Sequence, residues 1–189
     1  MIGPIKVVRE FIKCQDRCAA PHLRDEAFTY FTRMIDTRRG PESEHGDIIA
    51  TMGVIHGMFQ KSNSHFEQAL HHALNGFEVL LVDLKGFGYA SGIRSAHWSP
   101  IDMHEWLAVV LLQARTDKPL FLCAHSMGCL VTATFLLKNP NLKISGIIYS
   151  APFFGFHPLS GITPFSRIGL TLASLGAEVS TPSIFPTQI

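Results

Sequence analysis

The chain has 189 residues, 47% of them apolar, with 16 lysines and arginines against 15 aspartates and glutamates. That composition supports one buried core and excludes a disordered or fibrous chain. The near-zero charge offers no basic face for nucleic acid. Cysteines at 14, 18, 123 and 129 are too sparse for a disulfide scaffold. No secretory leader pattern opens the chain, and no stretch reads as a transmembrane span. The expected setting is intracellular and reducing, with the cytoplasm ahead of an organelle. Cys14 and Cys18 lie four apart without two further ligands at suitable spacing, so neither a metal nor a cofactor is expected.

Residues 1–24 read as an N-terminal extension. Val7, Val8, Phe11 and Ile12 recur at helical spacing and predict a short amphipathic helix. The run from Ala27 to Ile35 suits a strand, and the charged stretch 36–46 suits a loop. Ile48 to Ile55 is an apolar β-rich run of the kind found in buried parallel strands. Ser64 and Glu67 form a capping-box pattern that predicts a helix to about Asn75, stopped by Gly76. Phe77 to Val82 is a further strand ending at Asp83. A helix follows from Ser99-Pro100, then a strand over Leu120–Ala124. A helix from Met127 to Leu137 stops at Asn139-Pro140, and Ile144–Ser150 is the last clear strand. Alternation of strands and helices from about residue 48 predicts right-handed βαβ units and a doubly wound, mostly parallel sheet.

Ala124-His125-Ser126-Met127-Gly128 sits where an apolar strand meets a helix. A serine on such a sharp turn projects its hydroxyl from the sheet edge, and small residues two before and two after it let neighbouring backbone approach. Ser126 is therefore the candidate nucleophile. The helix start supplies the Met127 amide to a developing oxyanion, and His56-Gly57-Met58 places the Met58 amide as a second donor. Gly86-Phe87-Gly88 invites a pyrophosphate reading. A dinucleotide fingerprint must open a helix directly, whereas the next helix here begins near residue 100. His104-Glu105 lacks the second histidine of a zinc-protease helix.

These residues resemble the monoglyceride lipase and lysophospholipase branch of the α/β-hydrolases, also described as serine aminopeptidase-like. Its elbow usually reads G-H-S-M-G-G; here Ala124, His125, Ser126, Met127, Gly128 and Cys129 fill it. Its D-x-x-G-H-G-x-S-x-G turn is matched by Asp83, Gly86, Gly88 and Gly92, with Phe87 and Ala90 at the usual His and Ser. Ile147 to Pro152 resembles the strand after the nucleophile helix, and Ser180-Thr181-Pro182-Ser183 resembles part of the cap. The resemblance implies an ester hydrolase acting on a lipid monoester. It assigns residues 25–152 to the N-terminal half of the core and 153–189 to the start of a cap, with the C-terminal strands missing.

A serine of this kind needs a histidine base and an acid to orient it, in chain order serine, acid, histidine. After Ser126 there is no Asp; Glu178 and His157 are the only acid and histidine, in reversed order. No triad is expected within the chain. Two readings follow. Either a second polypeptide completes the sheet and supplies the acid and histidine, or the chain is a catalytically inactive hydrolase-like subunit of a larger assembly. A lone Ser–His pair is a remote third.

Overall fold

The computed structural model describes residues 3–14, 27–91, 100–114 and 117–153. Six strands form one sheet: β1 (Ile5–Lys13), β2 (Phe28–Asp36), β3 (Ala50–Ile55), β4 (Phe77–Asp83), β5 (Leu120–His125) and β6 (Gly146–Ser150). Their spatial order is β1-β2-β4-β3-β5-β6. β4, β3, β5 and β6 are parallel, while β1 and β2 pair antiparallel on the β4 side. The helices are α1 (Phe66–Leu74), α2 (Pro100–Leu111) and α3 (Met127–Lys138).

The chain leaves β3 through α1 to reach β4, then passes back across β3 through α2 to reach β5. Right-handed crossovers in opposite directions put their helices on opposite faces. α1 accordingly packs with Met34, Val54, Val79, Leu81 and Cys123 on one face. α2 and α3 pack together on the other, over Phe31, Ile55, Leu80, Val82 and Leu122. Met103, Trp106, Leu107, Val110 and Leu111 give α2 its buried stripe at helical spacing. The reversal of direction opens a crevice at the carboxyl ends of β3 and β5, where open α/β sheets bind ligands.

A polar ladder fixes strand register beneath this crevice. Arg33 of β2 bonds Glu10 of β1 at 3.2 Å and Glu78 of β4, and Thr51 of β3 donates to Glu78 at 3.0 Å. Four adjacent strands are thereby tied through the buried Glu78 carboxylate.

Two expectations need correction. Ile5–Lys13 is a strand, not an amphipathic helix, and draws part of the N-terminal segment into the sheet. Its apolar residues serve both periods, and nine-residue pairing with β2 outweighs a weak helical propensity. Ser64 does not cap α1. It lies within a 3-10 turn, Ser62–His65, where its hydroxyl accepts from Lys61 N–H at 3.3 Å, and α1 begins at Phe66. Cys18 and Ser99 lie outside the described residues. Gly76 ends α1 as expected, at φ +97°. No described helix is long and apolar enough to cross a membrane.

Candidate active site

Ser126 links β5 to α3 with φ 51° and ψ −118°, a conformation that costs a non-glycine residue energy and persists only where its surroundings fix it. The surroundings are specific. Ser126 N–H donates to Ser150 O at 3.0 Å, and Ser126 O accepts from Phe153 N–H at 3.2 Å. A Cβ on Gly128 would come within 2.5 Å of His56 O and 2.8 Å of Ile55 O, so only glycine lets α3 start against the end of β3. The Cys129 thiol donates to Ala124 O at 3.2 Å, pinning the first turn of α3 to β5. Burial pushes that thiol's pKa up, which keeps it protonated and inert.

The loop after β3 lies directly against this elbow. A Cβ on Gly57 would sit 3.0 Å from Ser126 Cβ and 2.9 Å from His125 Nδ1. Gln60 holds the loop there. Its Oε1 accepts from Gly57 N–H at 2.9 Å and lies 3.0 Å from His125 Nδ1 and 3.3 Å from His65 Nε2. An amide oxygen only accepts, so both rings turn an N–H toward it. Met127 follows Ser126 in the chain and Met58 follows Gly57 in the loop that abuts it, and neither backbone N–H donates to another group among the described residues. Unengaged amides of this kind are what an oxyanion hole requires.

Behind the loop, Asp83 and His56 form a brace. The Asp83 carboxylate, fully buried, accepts from Ser62 N–H at 2.5 Å and Tyr89 N–H at 2.8 Å. A side chain at Gly88, where φ is +56°, would collide with that carboxylate. Gly86 is also left-handed, at φ +77°, and its N–H donates to Ser91 O at 3.0 Å. The Ser91 hydroxyl in turn meets both Phe28 N and Phe28 O on β2. Buried His56 accepts Leu84 N–H on Nε2 at 3.0 Å, so the proton lies on Nδ1 and goes to Gly57 O at 2.7 Å. Burial pushes its pKa down to about 4, against smaller opposing effects of the Gly57 bond and the Asp83 charge. A neutral ring with both nitrogens engaged is a brace and has no lone pair for a substrate proton.

A profile of the family described as serine aminopeptidase, S33 matches residues 46–182. The chain belongs to this serine hydrolase family. Phospholipase YtpA of Bacillus subtilis (strain 168) is 30% identical over 137 residues, 72% of this chain and 51% of that protein. This chain thus spans about half the length of that relative. The α/β-hydrolase fold is shared with the thioesterase domain from the curacin biosynthetic pathway at TM-score 0.62, 19% identity, 92% of this chain and 56% of that one. The monoacylglycerol lipase of Paleococcus ferrophilus aligns at TM-score 0.56, 20% identity, 76% of this chain and 50% of that one.

Within this family member the structure brings Ser126, Met58, Met127, Gly57 and Gly128 together, with His56, Asp83, Gly86 and Gly88 as their support. His125 Nδ1 meets Gln60 Oε1 at 3.0 Å. His65, its pKa lowered chiefly by burial, stacks beside His125 with ring centroids 5.6 Å apart. A cavity of about 120 Å³ opens next to these rings, between Gln68, Cys123 and Ser150 on the α1 side of the sheet. Phe87, at the turn's usual histidine, packs edge-on against the His56 ring at 5.2 Å. His157 and Glu178 lie outside the described residues. Among the described residues no cluster of His, Cys, Asp or Glu is arranged to hold a metal ion. Sequence reasoning passed over Gln60 and His65, because nothing in a polar loop residue's identity announces which groups will converge on it.

Proposed function

We propose that the protein is a serine ester hydrolase of the lipid-monoester type, with Ser126 as nucleophile. The observation that carries this reading is the pairing of a strained elbow serine with two unengaged amides, Met58 and Met127, in one crevice. Ser126 Oγ would attack the ester carbonyl while an imidazole takes its proton, and the carbonyl oxygen would become an oxyanion held by the two amides. Collapse would expel the alcohol, which takes the proton back from the imidazole. Water would then release the acid from the acyl-serine by the same steps. The names of two similar proteins, a phospholipase and a monoacylglycerol lipase, favour a lipid ester over a peptide.

The imidazole and its acid come, in this proposal, from a second polypeptide that completes the sheet beyond β6. The two edges of the sheet differ in a way that supports this. β1 carries Lys6, Arg9, Glu10 and Lys13 along its nine residues, the charge pattern of an edge protected from pairing. β6 carries no charge, and Ile147, Ile148 and Tyr149 are 39%, 53% and 38% exposed across both of its faces. Parallel strands are ordinarily covered on both faces. Comparing hydrolysis of monoacylglycerol by the native assembly and by its Ser126→Ala form tests the reading. Turnover lost with the serine is expected. An assembly that contains this chain but hydrolyses no ester would favour the inactive-subunit reading, and a native mass equal to this chain alone would refute the second polypeptide.

A further inference from the structure

The end of the sheet that carries Ser126 has another feature, outside the crevice. β1 and β2 run so that Phe11 pairs with Tyr30 and Tyr30 with Asp83, bringing Phe11 and Lys13 to the same end as the nucleophile. From Phe11 a row of rings crosses the α1 side of the sheet. Phe11 and Tyr30 have centroids 4.9 Å apart, and Tyr30 and Tyr89 5.1 Å. Lys61 Nζ lies 5.8 Å from the centre of the Tyr89 ring. Lys61 belongs to the loop that holds Met58, with Phe59 between them.

Two of these rings face water, Phe11 at 61% exposed and Tyr89 at 59%, and Phe59 in the adjoining loop is 71% exposed, with φ +60°. Cations stand among them. Arg9 and Lys13 share the Phe11 side of β1 by strand alternation, and both are exposed, as is Lys61. Among the other described cations, Arg33 has Glu10 and Glu78, Arg38 has Asp36, and Lys118 has Asp47 as carboxylate partners, whereas Lys6, Lys138 and Lys143 have none among the described residues. Arg9, Lys13 and Lys61 have no carboxylate partner among the described residues. Glu10, their nearest neighbour in sequence, faces the other way and is engaged by Arg33.

Exposed aromatic rings interspersed with exposed cations suit one kind of surface: an anionic lipid interface, where rings enter the headgroup boundary and cations meet phosphates. We infer that this rim, formed by Phe11, Tyr89, Phe59, Arg9, Lys13 and Lys61, docks the protein on anionic lipid. The rim adjoins the crevice through the Met58–Lys61 loop, so docking would turn the mouth of the site toward the lipid phase. The inference goes beyond the hydrolase reading and does not need Ser126 to react.

Co-sedimentation of the full chain with vesicles tests it, using phosphatidylcholine alone and phosphatidylcholine mixed with phosphatidylglycerol. Binding to the mixed vesicles, weakening as salt is raised, is expected. Neutralising Arg9, Lys13 and Lys61 together with glutamine should lower partitioning about a hundredfold, from about fivefold per charge. Lys138→Gln with Lys143→Gln, at the opposite end of the sheet, should leave it unchanged. Phe59→Ser, a change at an exposed ring, should weaken binding at every salt concentration. No binding to the mixed vesicles, or binding that the triple variant retains, would overturn the inference. So would capture by polyglutamate without vesicle binding, which would assign the rim to an acidic protein. Ser126→Ala should bind vesicles like the native chain, so loss of the hydrolase reading and loss of this one are separable.

Discussion

His56 links the Gly57–Lys61 loop to the start of the glycine turn, and its protonation should be expensive. Its ring is fully buried, Nε2 must stay unprotonated to accept Leu84 N–H, and its folded pKa is pushed down to about 4. In the unfolded chain a histidine titrates near its ordinary value of 6.5. Above that value both states are neutral, and the stability contributed by the neutral ring is fully present. As pH falls from about 6.5 to about 4 the unfolded chain takes up a proton that the folded chain refuses, and stability drops. Below about 4 both states are protonated and the loss levels off. The difference between about 6.5 and about 4, at about 1.4 kcal/mol per pH unit, amounts to roughly 3–4 kcal/mol. Urea unfolding at a series of pH values measures this directly, with His56→Gln as the reference because it removes the titration. His65 and His72, also lowered chiefly by burial, likewise contribute a loss as pH falls below about 6.5, but do so in both proteins. Asp36, held below its usual value first by the Arg38 hydrogen bond, contributes a loss only at more acid pH. If native and His56→Gln chains lost stability in parallel between pH 6.5 and 4, the brace assigned to His56 would be wrong.

The elbow strain predicts that Ser126→Gly is more stable than Ser126→Ala by about 1 kcal/mol in denaturant unfolding, since only glycine accepts φ 51° without strain. Gly128→Ala should cost about 1–3 kcal/mol and shift the start of α3, because its Cβ would meet the His56 and Ile55 carbonyls; circular dichroism during thermal unfolding reads the loss. Glu78→Gln should destabilise by about 1–3 kcal/mol by removing the buried charge that faces Arg33, which keeps Glu10, and Glu78→Gln paired with Arg33→Met should recover part of it in a double-mutant cycle. Gln60→Leu should release the Gly57–Lys61 loop, seen as faster hydrogen exchange at Gly57 N–H, whereas Gln60→Glu keeps an acceptor and should preserve protection.

Much of the fold is written locally in the sequence. Ala50–Ile55, Phe77–Asp83 and Leu120–His125 are mostly apolar because they are buried between two helical layers, and Gly76 stops α1 through a left-handed conformation that is readable in advance. Ile5–Lys13 is different. Its apolar doublets fit a helical stripe as well as a strand, and only the partner strand β2, more than a dozen residues on, decides between them. Ser64 failed as a cap for a related reason: its hydroxyl is used one turn earlier by Lys61 N–H. The elbow at Ser126 was legible because strain and close approach restrict residue types on both sides of it. The convergence of Gly57, His65 and His125 on Gln60 was not, since an amide in a loop carries no pattern of its own. The exposed rings and cations around Tyr89 were equally silent, because strand pairing alone brings Phe11 to that end.

The account turns on Ser126 as a nucleophile whose imidazole partner is delivered from outside β1 to β6. A fluorophosphonate probe, with the adduct located by mass spectrometry on the Ser126 peptide, measures this most directly in the native assembly and in the isolated chain. The account predicts a Ser126 adduct in the assembly and its loss in the isolated chain. An assembly whose Ser126 stays unlabelled would contradict the nucleophile, and an isolated chain labelled as fast as the assembly would contradict the need for a partner.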